Sequence, residues 1–274
     1  VKTVTSESTS SEGIFYSGLQ DAVIQASRSG LQLEYYSAFS GTGDGSTLYA
    51  DFQSNADLMS PREIAVYGNR VVVADNGENK FYVYFFDGSK FTLLNTFSFE
   101  CAGVWGITFK GDDLLAIVDN TSNLAIFNDF FKKNLVDGSI SPDKVITIEG
   151  IVRTHGIDYS EADDVLVMTD IGEAANGTDD GGLHIIQDFS DKLADLNDGS
   201  TLSLYDQTRI AGLSTYLGNP IDVAYDSKSK TVYVAEIGNG RILGFSDILN
   251  ASGDVSPSFW SDLAGASSIY LYNN

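Results

Sequence analysis

Cysteine, proline, histidine and basic side chains are all scarce: one, four, two and 16 among 274 residues. The single cysteine, Cys101, excludes an internal disulfide and a thiolate metal cluster. Its setting, "FSFECAGVWGITF", lacks basic neighbours and points to a small packed residue rather than a reactive thiol. No apolar run approaches the ~18 residues of a membrane-crossing helix, so no membrane span is expected. With 38 acidic residues the formal charge is −22, a field that repels phosphate backbones and excludes nucleic acid as a natural partner. Nucleophilic catalysis finds no motif either. There is no G-x-S-x-G elbow, and Asp158 follows His155 by three residues, a spacing that points them to opposite faces of a strand.

What is present begins with "VKTVTSESTSSEG", a Ser/Thr-rich stretch that buries little apolar surface and reads as a disordered polar leader over residues 1–12. Together with the acid excess it gives the expectation of a secreted, periplasmic or cell-surface protein; a salt-adapted protein is the other source of such acidity.

Residues 13–274 read as one domain built on a repeat. "NPIDVAYDSKSKTVYVAEIGNGRILGF" (219–245) runs strand, turn, strand ending in an acid, turn, strand. The plan returns in "SPREIAVYGNRVVVADNGENKFYVYFF" (60–86), "VWGITFKGDDLLAIVDNTSNLAIF" (104–127) and "THGIDYSEADDVLVMTDIGEAANGTDDGGLHII" (154–186). A diverged copy at 13–36 has Ser27 in the acidic place. Each unit carries a fourth candidate strand: "TLYADF", "TLLNTFSF", "KVITIEG", "TRIAGL" and "SFWSDL". Helical periodicity is confined to connectors such as "DFFKKNLVDG" and "DFSDKLADLNDG". Four-stranded antiparallel units repeated radially make an all-β propeller, here of five blades, with six as the alternative. "SSIYLYNN" at the C-terminus is a further Ile-led inner strand, so closure is expected between residues near 13–18 and 267–273, in one shared blade.

Within "TVYVAEIGNGRILGF", Glu236, Gly238, Asn239, Arg241 and Ile242 resemble an NHL-type repeat, which implies a propeller and says little of activity. A second resemblance is to gluconolactonase-type propellers, which bind a divalent cation on the axis. It rests on Glu12-Gly13, "THGIDYS" and "GNPIDVAYD", and implies a metal at Glu12, His155 and Asn219. His155 departs from that pattern, offering nitrogen where a hard cation takes oxygen.

The residues two before each inner-strand isoleucine are Glu12, Arg62, Trp105, His155, Asn219 and Ser267, a ring at the axial mouth. Arg62, Trp105, His155 and Asn219 combine a cation, a stacking face, a titratable ring and an amide, chemistry suited to a small polar ligand, carbohydrate or protein. The strand-end acids Asp75, Asp119, Asp170 and Glu236 read as turn braces that accept backbone N–H groups. The loop 169–182 is acidic and Gly-rich without the spacing of a calcium loop, and His184 reads as a half-exposed strand residue. The reading is a monomeric, non-enzymatic binding propeller without a resident cofactor; a metal-dependent lactonase with an axial cation is the alternative.

Overall fold

A computed structural model describes residues 2–273 except Ala174 and Asn176. The chain folds into five four-stranded antiparallel blades in a ring, as the repeat requires. From the axis outward, blade 1 is Ser11–Ser17, Ala22–Ser27, Gln32–Tyr36 and Phe52–Gln53. Blade 2 is Pro61–Tyr67, Arg70–Asp75, Lys80–Phe86 and Phe91–Phe99. Blade 3 is Val104–Lys110, Asp113–Val118, Asn123–Phe127 and Lys144–Ile148. Blade 4 is Ile157–Ser160, Val165–Asp170, Gly182–Ile186 and Thr208–Ala211. Blade 5 is Pro220–Asp226, Thr231–Glu236, Arg241–Phe245 and Phe259–Asp262. Two short helices, Phe130–Lys133 and Phe189–Asp195, occupy the expected connectors.

Second strands such as "RVVVAD" are apolar almost throughout because neighbouring blades cover both of their faces. Four hydrophobic clusters result, one each between blades 1 and 2, 2 and 3, 3 and 4, and 4 and 5. Blades are also stapled outside. Gly138–Ile140, from the connector of blade 3, pairs in parallel with the last strand of blade 2. Thr201–Leu202, from blade 4, does the same on blade 3, and Gly253, from blade 5, bridges Ile210 of blade 4.

Between blades 5 and 1 no hydrophobic cluster forms among the described residues, and the two terminal segments fill the place. Residues 2–10, expected as a disordered leader, lie against blade 1. Thr5–Ser6 pairs in parallel with Thr47–Leu48, Thr3 N donates to Asp44 Oδ1 at 2.8 Å, and the Ser8 and Ser27 hydroxyls meet at 2.7 Å. The hydroxyls that made this stretch look solvent-bound are its anchors, because the blade 1 face they meet is polar: Glu34 Oε2 accepts from Gln25 at 2.8 Å and from Tyr36 at 2.7 Å.

The ring closes where the chain ends meet, but without a shared blade. Residues 267–273 form no strand and no helix. They are held by side chains: Ser267 Oγ donates to Ser11 O at 2.8 Å, and Ile269 N to Asp222 Oδ2 at 2.7 Å. The Tyr270 and Tyr272 rings sit 5.1 Å from Phe15 and Tyr16 respectively. The expected motif is present, yet the Ile-led segment pairs with no second strand among the described residues. Removing residues 267–274 deletes two aromatic pairs and the packing of Ile269. The expected loss is about 2–4 kcal/mol in urea unfolding, whereas removing residues 1–4 costs less than about 1 kcal/mol. Equal losses would show that the tail does not close the ring.

Candidate functional site

Four of the five inner strands start with a β-bulge. Register breaks between Ser11 and Ile14, Pro61 and Glu63, Val104 and Ile107, and Pro220 and Asp222. A bulge places one extra residue on the bent strand and re-aims its side chain. The residues so placed are Glu12, Arg62, Trp105 and, in blade 5, Ile221; His155 stands at the same register ahead of Ile157. Blade 5 therefore departs from the sequence expectation. Ile64 pairs with Val73, two before Asp75, and the equivalent of Ile64 is Val223, which pairs with Val234, two before Glu236. Asn219 thus falls two positions early, its backbone N–H on the Glu236 carboxylate and its carbonyl accepting from Ile237. Ile221 takes the ring position and packs on the cluster containing Trp105. Ser267 binds the Ser11 carbonyl instead of joining the ring.

Four of the expected residues do converge, as a plug rather than an open mouth. Glu12 is 6% exposed and bridges Arg28 at 2.7 Å and Arg62 at 3.0 Å. The Arg62 guanidinium lies 4.1 Å over the Trp105 ring, and the His155 imidazole stacks parallel on that indole at 3.7 Å. Arg153, 5.8 Å from the same indole, reaches Asp119 Oδ1 through Nε at 3.1 Å and Nη2 at 2.9 Å. His155 is buried, its Nε2 3.5 Å from Asp119 Oδ1. Neither imidazole nitrogen makes a hydrogen bond, and Arg62 Nε and Thr154 Oγ1 nearby are also buried without partners. The residues named for an axial cation are not brought together: Arg62 and Trp105 stand between Glu12 and His155, and both Glu12 oxygens face guanidinium groups. Among the described residues no group of three His, Cys, Asp or Glu is arranged to hold a metal ion.

The strand-end acids brace turns as expected, Asp119 through a single backbone N–H, that of Asn120 at 2.7 Å. Asp75 accepts from the backbone of Met59, Ser60, Gly77 and Glu78; Asp170 from Val152, Arg153 and Gly172; Glu236 from Gly218, Asn219, Gly238 and Asn239. In blade 3, Val118 occupies the corresponding place opposite Val104, and Asp119 lies one residue beyond the strand. That slip reverses its direction, so that besides Asn120 N and the Asn76 and Asn120 amides its carboxylate meets Arg153 and His155. Burial would raise the Asp119 pKa, yet the contacts with His155 and Arg153 hold it down at about 2. Burial keeps His155 below its ordinary value, and thus neutral at pH 7, against the opposing pull of Asp119. His184, expected half-exposed, is fully buried with Nδ1 2.6 Å from Gln207 Oε1. The loop after Asp170 is closed by Asp180, which accepts from Glu173 N at 2.8 Å, and Asn239 ties it to blade 5 through Thr178 O; its calcium-type reading falls partly on residues outside those described.

Beneath the plug runs an axial cavity of about 250 Å³, lined by all five inner strands and by Ile269, Tyr270 and Leu271. One residue after the ring position come Gly13, Glu63, Gly106, Gly156 and Asp222. A Cβ on Gly106 would stand 2.3 Å from His155 O, and one on Gly156 2.7 Å from Asp222 Cα, so glycine there lets inner strands approach. The carboxylates of Glu63, Asp222 and, deeper, Asp158 line this cavity, and sequence reading missed them. Burial lifts Asp158 to about 6 despite the Tyr225 backbone N–H it accepts; burial also lifts Asp222 to about 7 and raises Glu63, which its charge coupling to Asp222 raises further.

Neither a known family model nor a curated protein sequence matches this chain. Solved structures do. A protein from Lactobacillus plantarum superposes with a TM-score of 0.60 at 14% identity, over 94% of this chain and 73% of that one. A chain of a nidogen/laminin complex gives 0.60 at 15% identity, over 88% and 77%. The computationally designed Ika8 protein gives 0.50 at 10% identity, over 99% and 69%. Identities this low establish the β-propeller fold and nothing beyond it. No helix among the described residues is long and apolar enough to cross a membrane.

Two titrations test this site. A carboxyl whose folded pKa lies above its unfolded value stabilises below the unfolded pKa and loses that contribution as pH rises through the folded one. The stability difference between the parent and Asp222→Asn should therefore shift against the parent by about 1–3 kcal/mol between pH 4 and pH 8. A flat difference would mean that Asp222 is not desolvated. By NMR, His155 should titrate below the usual histidine range and lower still in Asp119→Asn; an unchanged midpoint would remove Asp119 from its surroundings.

Proposed function

We propose that this propeller is a non-enzymatic, exported binding module that takes a small carboxylated ligand at the rim of the axial plug. The observation that carries the reading is the gathering of Arg62 and Arg153 on Trp105, with Arg28 joined to them through Glu12, against only Glu12 and Asp119, in a chain otherwise rich in acid. Arg62 gives Glu12 only Nη1, and its buried Nε has no partner. A guanidinium carries five N–H donors in a planar fork that suits a carboxylate. Both indole faces are covered, one by Arg62 and the other by His155, so Trp105 does not offer the sugar-stacking surface its isolated appearance in the sequence suggests. Charge and hydrogen bonding then select the ligand, and a carboxylated sugar fits where a neutral one does not.

The test uses galacturonate and galactose in a Trp260→Phe background, which leaves Trp105 as the sole indole. Galacturonate should change Trp105 fluorescence saturably. Arg28→Ala should weaken it about tenfold, the size of one lost charged hydrogen bond, with the fold retained because Arg62 still neutralises Glu12. Equal binding of galactose, or indifference to both Arg28→Ala and Arg153→Ala, would refute the assignment.

A further inference from the structure

The two tryptophans sit in opposite surroundings. Trp105 is 9% exposed with both faces covered, whereas Trp260, in the outer strand of blade 5, is 51% exposed and carries one neighbour on its ring, the Arg241 guanidinium at 5.2 Å. The same guanidinium lies 4.9 Å over the ring of Tyr216, which is 45% exposed. Strand register explains the grouping. Arg241 pairs with Asp262 and Leu243 with Trp260, and Leu243 points into the core shared with blade 4, so by alternation Arg241, Trp260 and Asp262 project on that same side. The loop that enters blade 5 brings Tyr216 to them.

Tyr216 is held there at a cost. Its φ of +59° lies in the left-handed region, which bulky residues seldom take and which costs about 1–3 kcal/mol where they do. Polar contacts impose it: Thr215 Oγ1 accepts from Leu217 N at 3.1 Å, and Asn239 Nδ2 donates to Tyr216 O at 3.2 Å. Neither the backbone nor the core calls for an aromatic residue at this position, yet its ring is what meets Arg241. The guanidinium, in turn, has unused chemistry. Arg241 donates no side-chain hydrogen bond among the described residues, and its Nε is buried without a partner. Asp262 Oδ1 stands 3.6 Å from that nitrogen, beyond hydrogen-bond reach, on a largely exposed side chain.

We propose that Tyr216, Arg241, Trp260 and Asp262 form a second binding site, distinct from the axial plug, for a neutral pyranose sugar. One face of the sugar ring lies on the open indole face. Of two neighbouring hydroxyls at the ring edge, one accepts from the Arg241 terminal nitrogens and the other donates to Asp262, while Tyr216 fixes the guanidinium. The charges select this class. A guanidinium only donates and a carboxylate only accepts, so an anion is opposed by Asp262 and a cation by Arg241, whereas a hydroxyl gives and receives. An arginine already stacked on two rings gives up little freedom when it binds.

The two indole N–H signals of the full chain, assigned by NMR with Trp260→Phe, report the two sites separately. The probe is cellobiose, a neutral disaccharide whose rings have flat faces and hydroxyls at their edges. It should shift the Trp260 signal saturably and leave that of Trp105 in place, and sorbitol, which has hydroxyls but no ring face, should shift neither. Tyr216→Gly should weaken cellobiose binding about fivefold without lowering the Tm, because glycine takes a positive φ freely. Asp262→Ala, at an exposed position, should weaken it by a similar factor with an unchanged Tm. The proposal is overturned if cellobiose leaves the Trp260 signal unmoved, if sorbitol or galacturonate moves it as strongly, or if neither variant weakens binding. Carboxylate binding at the plug is read from Trp105, so failure of one site is visible apart from failure of the other.

Discussion

Crowding at the axis governs this molecule. Five inner strands approach so closely that a single methyl group on Gly106 or Gly156 would meet backbone of the next blade. Room for side chains exists only above and below that level. Above it, four of the five strands bulge, and each strand sends one residue to the mouth; below it, carboxylates from three blades crowd one axial cavity and are drawn away from bulk solvent. Plug and acidic cavity are thus two results of the same steric limit.

The fold was legible because its signals are periodic and local. "RVVVAD", "TVYVAE" and "VLVMTD" declare fully covered strands, and the glycine and asparagine turns between them leave few alternatives to a radial arrangement. The closing segment was legible as a motif but not as an unpaired one, since pairing depends on a partner that no local pattern specifies. Residues 2–10 misled in the opposite sense: serine and threonine that look solvent-bound find hydroxyl and carboxylate partners on an unusually polar blade face.

The site was legible in type and less so in register. Counting back two residues from an isoleucine located Glu12, Arg62, Trp105 and His155. It failed in blade 5, where Val223 plays the isoleucine's part and Ile221 was mistaken for it. Arg28 and Arg153 lie outside the repeat position and reach the plug by side-chain length. Asp119 looked like its equivalents in other blades, and only the pairing of Val118 with Val104 shows the one-residue offset that turns it toward His155. Glu63 and Asp222 hold a register that is glycine in the other three blades, a contrast that could have singled them out.

The stapling of blades 2 and 3 by strands, and of blade 4 by a single bridge, from the blade that follows each has a mechanical meaning. Those three joints bear load through paired backbone, whereas the joint between blades 5 and 1 bears it through hydroxyls and tyrosine rings supplied by the chain ends. Tension applied between the termini would peel these contacts one at a time instead of shearing a sheet. The ring is a hoop with a clasp, and its weakest link lies where an outside force would first be felt.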